Sequence, residues 1–279
     1  MQQPVNASAF SEPFTPRGVA AFARSSFSWL FFTQLVIASV AAASIVWFFY
    51  DGCFPTVEAA IENLPAEGKI HSGQLDWTGA PQTLAEGHFF AFDVDLDHSG
   101  QFHSITDFQI EFGAKSVRVL SLFGFTDISY PTNKTIPFNQ PELDPVWKAW
   151  RAIILFLIAI ASIAMLLGTW YVLATIYFLP VWFFGYFTNR DLSLRASWKL
   201  SAAALLPGAL LMTIGILLYD FGLLSLVSLL FVFGAHFVLQ WLYLFFGLFF
   251  LPRTSTTTPP ANPFKPTRKA KHESPNPFK

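Results

Sequence analysis

The sequence predicts a membrane α-helical bundle of four transmembrane helices with a small extracytoplasmic domain that is mainly β (α+β). Hydrophobic residues make up 53% of the chain, and charged residues make up only 13%, well below the ~25% usual in soluble domains. Four long segments contain no Asp, Glu, Lys or Arg. Between the first two segments, the hydrophobic pattern changes to the period of two that is typical of β-strands.

The four charge-free segments define the candidate membrane spans. A helix needs roughly 20 residues to cross a hydrocarbon core of about 30 Å, and every segment is that long. The first span is predicted at residues 25–50 as an uncleaved signal anchor, because its apolar run continues beyond the small residues at which a cleaved signal peptide would end. The segments cover residues 25–50, 152–189, 200–219 and 221–252.

The remaining membrane part is predicted at residues 147–252 and holds transmembrane helices two to four. Pro180 is expected to interrupt the second span. The aromatic residues that follow are typical of a membrane surface, so an interfacial segment is predicted near residues 179–198. A polar turn around Asp220 is expected to join the last two spans, which would be antiparallel.

Lys and Arg residues indicate the orientation, because their excess marks the cytoplasmic side of a membrane. They flank the first span in residues 1–24, follow the second span and recur in residues 253–279, whereas residues 51–146 are strongly acidic. We therefore expect a multi-pass protein of the bacterial inner (plasma) membrane with both termini in the cytoplasm. Lys148 and Arg151 are the exceptions to this charge pattern.

Residues 51–146 are predicted to form the extracytoplasmic β-rich domain. Prolines bound a short helix at residues 55–65. Apolar and polar residues then alternate in residues 90–97 and 108–112, with turn residues between the strands. These patterns predict a meander of four to five strands with one helix.

The stretch FDVDLDHSG poses the main question of chemistry. Asp93, Asp95 and Asp97 alternate along a strand, so they are expected to share one solvated face. From Asp95 onward the stretch also resembles the start of a calcium loop, but Thr106 occupies the position of the closing Glu. A solvated face without a cofactor is the main expectation, and Ca²⁺ binding is the alternative. The candidate metal ligands are Asp93, Asp95, Asp97 and Ser99.

Two other interpretations of this acidic surface stay open. His98 and His103 could join the aspartates around Zn²⁺ in a metal-dependent membrane enzyme, or they could be solvated loop residues. A catalytic carboxylate pair would need a neighbour that raises the pKa of one carboxyl above that of the other, and no adjacent residue does this.

Three polar residues are expected inside the membrane: Gln34, His236 and Gln240. His236 and Gln240 are four residues apart and therefore share one helix face. Interhelical hydrogen bonds would satisfy such side chains. A transport site or a proton relay is the alternative.

Residues 253–279 are predicted to be a disordered, basic cytoplasmic tail. The tripeptide Asn-Pro-Phe occurs in it twice, at residues 262–264 and 276–278. This repeat resembles the ligand of EH-domain endocytic adaptors. Alternatively, the basic tail binds anionic lipid.

The order of parts resembles an uncharacterised family of bacterial polytopic membrane proteins that is classed as a domain of unknown function. The resemblance covers roughly residues 25–250 and depends on the signal-anchor span, on LPAEGKIHSGQLDW, on FFAFDVDLDHSG and on the further spans. It implies no catalytic residues.

We therefore expect a non-enzymatic sensor, scaffold or assembly partner that acts through its extracytoplasmic β domain. The expected partners are the lipid bilayer and other membrane or envelope proteins, and no nucleic acid. The first alternative is a small transporter or transporter subunit with a polar site near His236 and Gln240. The second is a metal-dependent membrane enzyme that uses the external Asp and His residues.

Overall fold

The computed structural model of the protein describes residues 14–100, 102 and 104–254. The predictions for His103 and for both Asn-Pro-Phe tripeptides, like most of the predicted tail and the first thirteen residues, lie outside the described residues. The helices are α1 (Pro16–Phe22), α2 (Phe27–Phe48), α3 (Phe54–Glu62), α4 (Gln140–Phe187), α5 (Leu194–Asp220) and α6 (Leu226–Phe249). A π-helical turn, Phe49–Cys53, joins α2 to α3.

Eight strands lie between α3 and α4. They are β1 (Lys69–His71), β2 (Gln74–Asp76), β3 (Gln82–Glu86), β4 (Phe90–Val94), β5 (Phe108–Phe112), β6 (Ser116–Ser121), β7 (Gly124–Ser129) and β8 (Ile136–Pro137). The predicted combination of a helical bundle with a small β domain is therefore confirmed. Four helical segments, which contain α2, α4, α5 and α6, are long and apolar enough to cross a membrane.

Polar caps explain where the long helices begin. The side chains of Ser26, Ser193 and Ser225 accept backbone N–H groups in the first turns of α2, α5 and α6. Asn139 does the same for α4. Gly222, with φ +68°, follows the end of α5 in the left-handed conformation that favours glycine.

Helix α5 is the centre of the bundle. It packs against α2, α4 and α6, and its middle, residues 200–209, is buried throughout. This stretch contains several small residues, which let membrane helices approach closely. A Cβ added to Gly208 would lie 2.9 Å from the carbonyl oxygen of His236, so α5 and α6 are almost in backbone contact there.

Helix α4 is continuous, so the prediction that Pro180 interrupts it is wrong. Its 48 residues extend about 72 Å at 1.5 Å per residue, far more than a hydrocarbon core of ~30 Å. Close to this proline α4 packs on α5, where the hydroxyl of Ser197 donates to the carbonyl of Phe178 at 2.6 Å. The interfacial position of the segment after Pro180 stays a prediction.

The start of α4 explains the two basic exceptions to the charge pattern. Lys148 pairs with Asp144 at 2.9 Å, and Arg151 pairs with Glu58 of α3 at 3.4 Å. These cations lie in the part of α4 that packs against α3. Each of them therefore pairs with a carboxylate of this region.

The β domain contains two sheets, and the prediction of a simple meander is wrong. Three strands pair in the order β2-β1-β8 and five in the order β3-β4-β5-β6-β7. Strands β4 and β5 are parallel, whereas the other pairs are antiparallel. Parallel neighbours need a crossover connection, which residues 95–107 provide.

Both ends of the described chain lie at the end of the bundle opposite the β domain. The hydroxyl of Tyr243 donates to the carbonyl of Phe14 at 2.6 Å, which holds the N-terminal segment against α6. On the same side, Arg190 donates to the carbonyl of Leu251 at 2.6 Å and so holds the end of α6 against the α4–α5 loop. Both ends lie on one side because an even number of long helices returns the chain to the side on which it began.

Candidate functional site

The three aspartates in and just after β4 do not form one solvated face, contrary to the prediction. Asp93 and Asp95 are each 1% exposed, and Glu111 on β5 is 2% exposed. Of the three aspartates, only Asp97 is exposed. Described residues of the crossover contact this face of the sheet, because His98 contacts Glu111 and the carbonyl of Phe102 accepts from Gln109.

Hydroxyl and amide donors satisfy the two buried aspartates. Asp93 accepts from the Thr83 hydroxyl at 2.6 Å and from the Gln109 amide nitrogen at 2.7 Å. Asp95 accepts from the Ser99 hydroxyl at 2.7 Å. Buried polar groups that are paired in this way avoid the cost of an unmade hydrogen bond.

His98 links the crossover to strands β5 and β6 of the sheet by hydrogen bonds. Its Nδ1 contacts the Glu111 carboxylate, and its Nε2 lies 3.3 Å from the Ser116 hydroxyl. The amide of Gln109 also donates to the carbonyl of Phe102 at 2.7 Å, further along the same crossover. This network therefore closes the loop over the carboxylates and supports a structural role for them.

The candidate calcium ligands lie in three different settings. Ser99 bonds Asp95, whereas Asp93 bonds residues of β3 and β5 and Asp97 is exposed. Within the part of the chain that the structure describes, no group of three or more His, Cys, Asp and Glu side chains could hold a metal ion. Calcium binding here stays an untested hypothesis.

A row of polar residues continues from the buried half of the sheet to its edge. In the strand register, Asp93 lies beside Glu111, Glu111 beside Arg118, and Arg118 beside Asp127. The Arg118 guanidinium donates to both carboxylate oxygens of Asp127, at 2.8 and 3.1 Å. This pairing lowers the pKa of Asp127 below its usual value.

The β6–β7 hairpin, in contrast, exposes apolar side chains. Every residue of β7 is exposed, and β7 forms one edge of the five-stranded sheet. Phe123 is 76% exposed and Phe125 is 65% exposed, and Leu122 and Ile128 are exposed as well. Sequence reasoning missed this surface, although the cluster Leu-Phe-Gly-Phe was its signal.

The β domain is fixed to the bundle at the starts of its two parallel strands. Tyr219, near the end of α5, donates its hydroxyl to the Asp107 carboxylate at 2.5 Å, just before β5. Phe89, just before β4, packs against the rings of Tyr219 and Phe48 at centroid distances of 4.6 and 5.1 Å. These contacts define the junction between the domain and the bundle.

A cavity of about 330 Å³ opens beside this junction. Asp107 lines it from the crossover, Leu120 and Leu122 from the hairpin, and Ser225 and Val227 from the start of α6. The cavity therefore separates the hairpin from the first turn of a candidate span.

Asp220 at the junction is 9% exposed, and its carboxylate has no well-formed hydrogen bond among the described residues. The indole of Trp47 and the carboxylate of Asp51 are its neighbours. Sequence reasoning placed Asp220 in an ordinary polar turn and gave no signal of its burial.

The three polar residues that are predicted inside the membrane do not form one site. Gln34 donates to the carbonyl of Ala202 on α5 at 3.5 Å, which is a long contact. Gln240 is buried against Gly208, and its amide oxygen has no partner in the described structure. His236 instead bonds the carbonyl of a residue in its own helix, Phe233. The transport hypothesis stays untested.

No family model, curated protein or solved structure matches this chain. The resemblance to an uncharacterised bacterial membrane-protein family therefore stays a prediction.

Proposed function

We propose that this chain is a non-enzymatic integral membrane protein that serves as an assembly partner or scaffold for another membrane or envelope protein. In this proposal the β domain is extracytoplasmic, both termini are cytoplasmic, and the bilayer is a bacterial inner membrane. The charge pattern supports this orientation, as does the position of both described chain ends at one end of the bundle.

The observation that carries the proposal is the open edge of strand β7. An edge strand presents unpaired N–H and C=O groups, which another chain can pair with by adding a strand. Proteins usually protect such edges with free charges, prolines or a covering segment. The one charged residue of β7, Asp127, is neutralised by Arg118, while Phe125 and Ile128 offer exposed apolar surface.

The opposite edge of the same sheet, strand β3, has features that protect an edge strand. Strand β3 packs against α3, and the Asn63 side chain donates to the Leu84 carbonyl at 2.8 Å. The same edge carries the charged residue Glu86. Both edges belong to one sheet, and one is held by a helix while every residue of the other is exposed. This asymmetry supports a partner strand at β7.

The buried carboxylates support a non-enzymatic role. Asp93, Asp95 and Glu111 are covered by the crossover and already contact donors within the domain. A catalytic group must reach its substrate within hydrogen-bond distance. These side chains therefore suit the stabilisation of the crossover better than catalysis.

Site-specific photo-crosslinking in native membranes tests the proposal. A crosslinker in place of Ile128 on the open edge should capture one defined partner, whereas a crosslinker at Gln82 on the opposite edge should not. Asp127→Pro should abolish the capture, because the alternation of the ladder directs the Asp127 amide away from β6 and proline removes that donor from the edge. Asp127→Ala, which also loses the pair with Arg118, should preserve the capture. Equal capture from both edges, or capture that survives Asp127→Pro, would contradict strand addition.

A further inference from the structure

We infer that the tip of the β6–β7 hairpin, Leu122 and Phe123, inserts into the lipid bilayer on the β-domain side of the bundle. The occupant of this apolar tip is therefore lipid, not a second protein. This inference concerns the end of the hairpin and does not depend on whether a partner strand pairs with β7.

The directions of the strands bring the tip to the membrane. Parallel strands β4 and β5 both start at the bundle, because Phe89 and Asp107 contact Tyr219. Strand β6 is antiparallel to β5, with Ser121 opposite Phe108. It therefore returns towards the bundle, and the turn after Ser121 lies at the same end of the sheet as the junction.

The height of the tip matches the start of a candidate span. Ser225 caps helix α6, so its first turn marks one end of that span. Leu122 lines the junction cavity together with Ser225 and Val227. The hairpin tip and the end of the span thus face each other across a cavity of about 330 Å³.

The surface around the tip is apolar and exposed. Residues 119–126 contain no charged side chain. Large apolar residues from neighbouring segments are also exposed, namely Ile105 of the crossover and Phe221 and Leu223 of the α5–α6 turn. Apolar patches of this kind mark interaction sites, and aromatic residues are favoured at the membrane interface.

The turn satisfies some of its own polar groups, which lowers the cost of insertion. The hydroxyl of Ser121 accepts from the backbone N–H of Phe123 at 3.3 Å and donates to the carbonyl of Gly124 at 3.4 Å. Ser121 and Gly124 are also opposite each other in the strand register.

Depth measurements on the full chain test the inference. The protein is placed as single copies in lipid nanodiscs in a Cys53→Ala background, because Cys53 is the only cysteine. Nitroxide labels are attached to Phe123→Cys and, as the matched control, to Lys115→Cys in the β5–β6 turn at the other end of the sheet. Label 123 should be reached preferentially by oxygen, which partitions into lipid, and label 115 by a water-soluble nickel chelate.

A second variant separates insertion from misfolding. A label at Leu122→Cys should move from oxygen access to nickel access when Phe123→Asp is added and should stay in lipid with Phe123→Trp. Hydrogen exchange of β4 and β5 should be unchanged in both. The inference is overturned if label 123 is as accessible to nickel as label 115, or if it is shielded from both reagents, which would mean protein contact.

Discussion

The two halves of the five-stranded sheet differ in which kinds of side chain they bury. Around β4 and β5, carboxylates are buried and hydrogen-bonded, whereas in the β6–β7 hairpin phenylalanines are exposed. One half is contacted by His98 and Phe102 of the crossover, a segment of the same chain. The other half lacks such a cover among the described residues and offers its apolar side chains to the surroundings. The difference shows that burial here depends on what covers the sheet rather than on the polarity of the residue.

Asp93→Ala should have the largest effect, because it leaves the Thr83 hydroxyl and one donor of the Gln109 amide without their buried acceptor. We expect the free energy of unfolding of the β domain to fall by about 3 kcal/mol. Native-state hydrogen exchange of the β4 and β5 amides in micelles measures it. Asp97→Ala, at an exposed position, should change it by less than about 0.5 kcal/mol. Similar losses in both variants would show that the buried network is not stabilising.

Tyr219→Phe should have an intermediate effect, because it removes only the hydroxyl that bonds Asp107 and keeps the ring against Phe89. Hydrogen bonds to charged groups contribute about 1.5–3 kcal/mol. A double-mutant cycle with Asp107→Asn should therefore give a coupling energy of about 1.5 kcal/mol, measured from the stability of the β domain in the full chain. A coupling energy near zero would mean that ring packing alone holds the junction.

The Arg118–Asp127 pair should have a small, pH-dependent effect, because both groups are at the surface. The folded pKa of Asp127 is lowered, so its stabilisation is fully present above the usual carboxyl value of 3.8. It is lost as the pH falls through the lower folded value. The melting temperature of the wild type should exceed that of Asp127→Asn at pH 7, and the difference should vanish at low pH. Adding Arg118→Ala should remove the difference at every pH.

Phe123→Ser should have the smallest effect on the folded β domain. The side chain is exposed, so its replacement in detergent should change the free energy of unfolding by no more than about 0.5 kcal/mol. The matched Phe89→Ser should lower it strongly, because Phe89 is buried at the junction. Differential scanning fluorimetry of both variants makes the comparison. A large loss for Phe123→Ser would mean that the hairpin tip is part of the domain core.

Composition and local periodicity predicted the parts of this fold that depend on neighbouring residues. The charge-free segments predicted the four long apolar helices, and the alternation around Phe92 and Ile110 predicted β4 and β5. A proline in the sequence does not by itself show where a helix ends, however. Pro180 stays inside α4, close to a hydrogen bond from Ser197 of α5, and such tertiary contacts are not visible in the local sequence.

The candidate sites depended on contacts that the sequence does not encode locally. Alternation placed Asp93 and Asp95 on one face, but it did not reveal that a crossover covers that face. The parallel pairing of β4 with β5, which creates the crossover, is set by the three-dimensional arrangement. The open hairpin was missed for the related reason that apolar residues in a strand, such as Phe125 and Ile128, look the same in the sequence whether the strand is buried or exposed.

The bond between Asp107 and Tyr219 joins residues that are 112 positions apart. The ribosome therefore completes the β domain well before it makes the end of α5 on which that domain rests. Until α5 is inserted, Phe89 and Asp107 lack their partner on that helix. Docking of the domain is thus a late step of biogenesis. A chain truncated before α5 would have a β domain that lacks the helix end against which it packs.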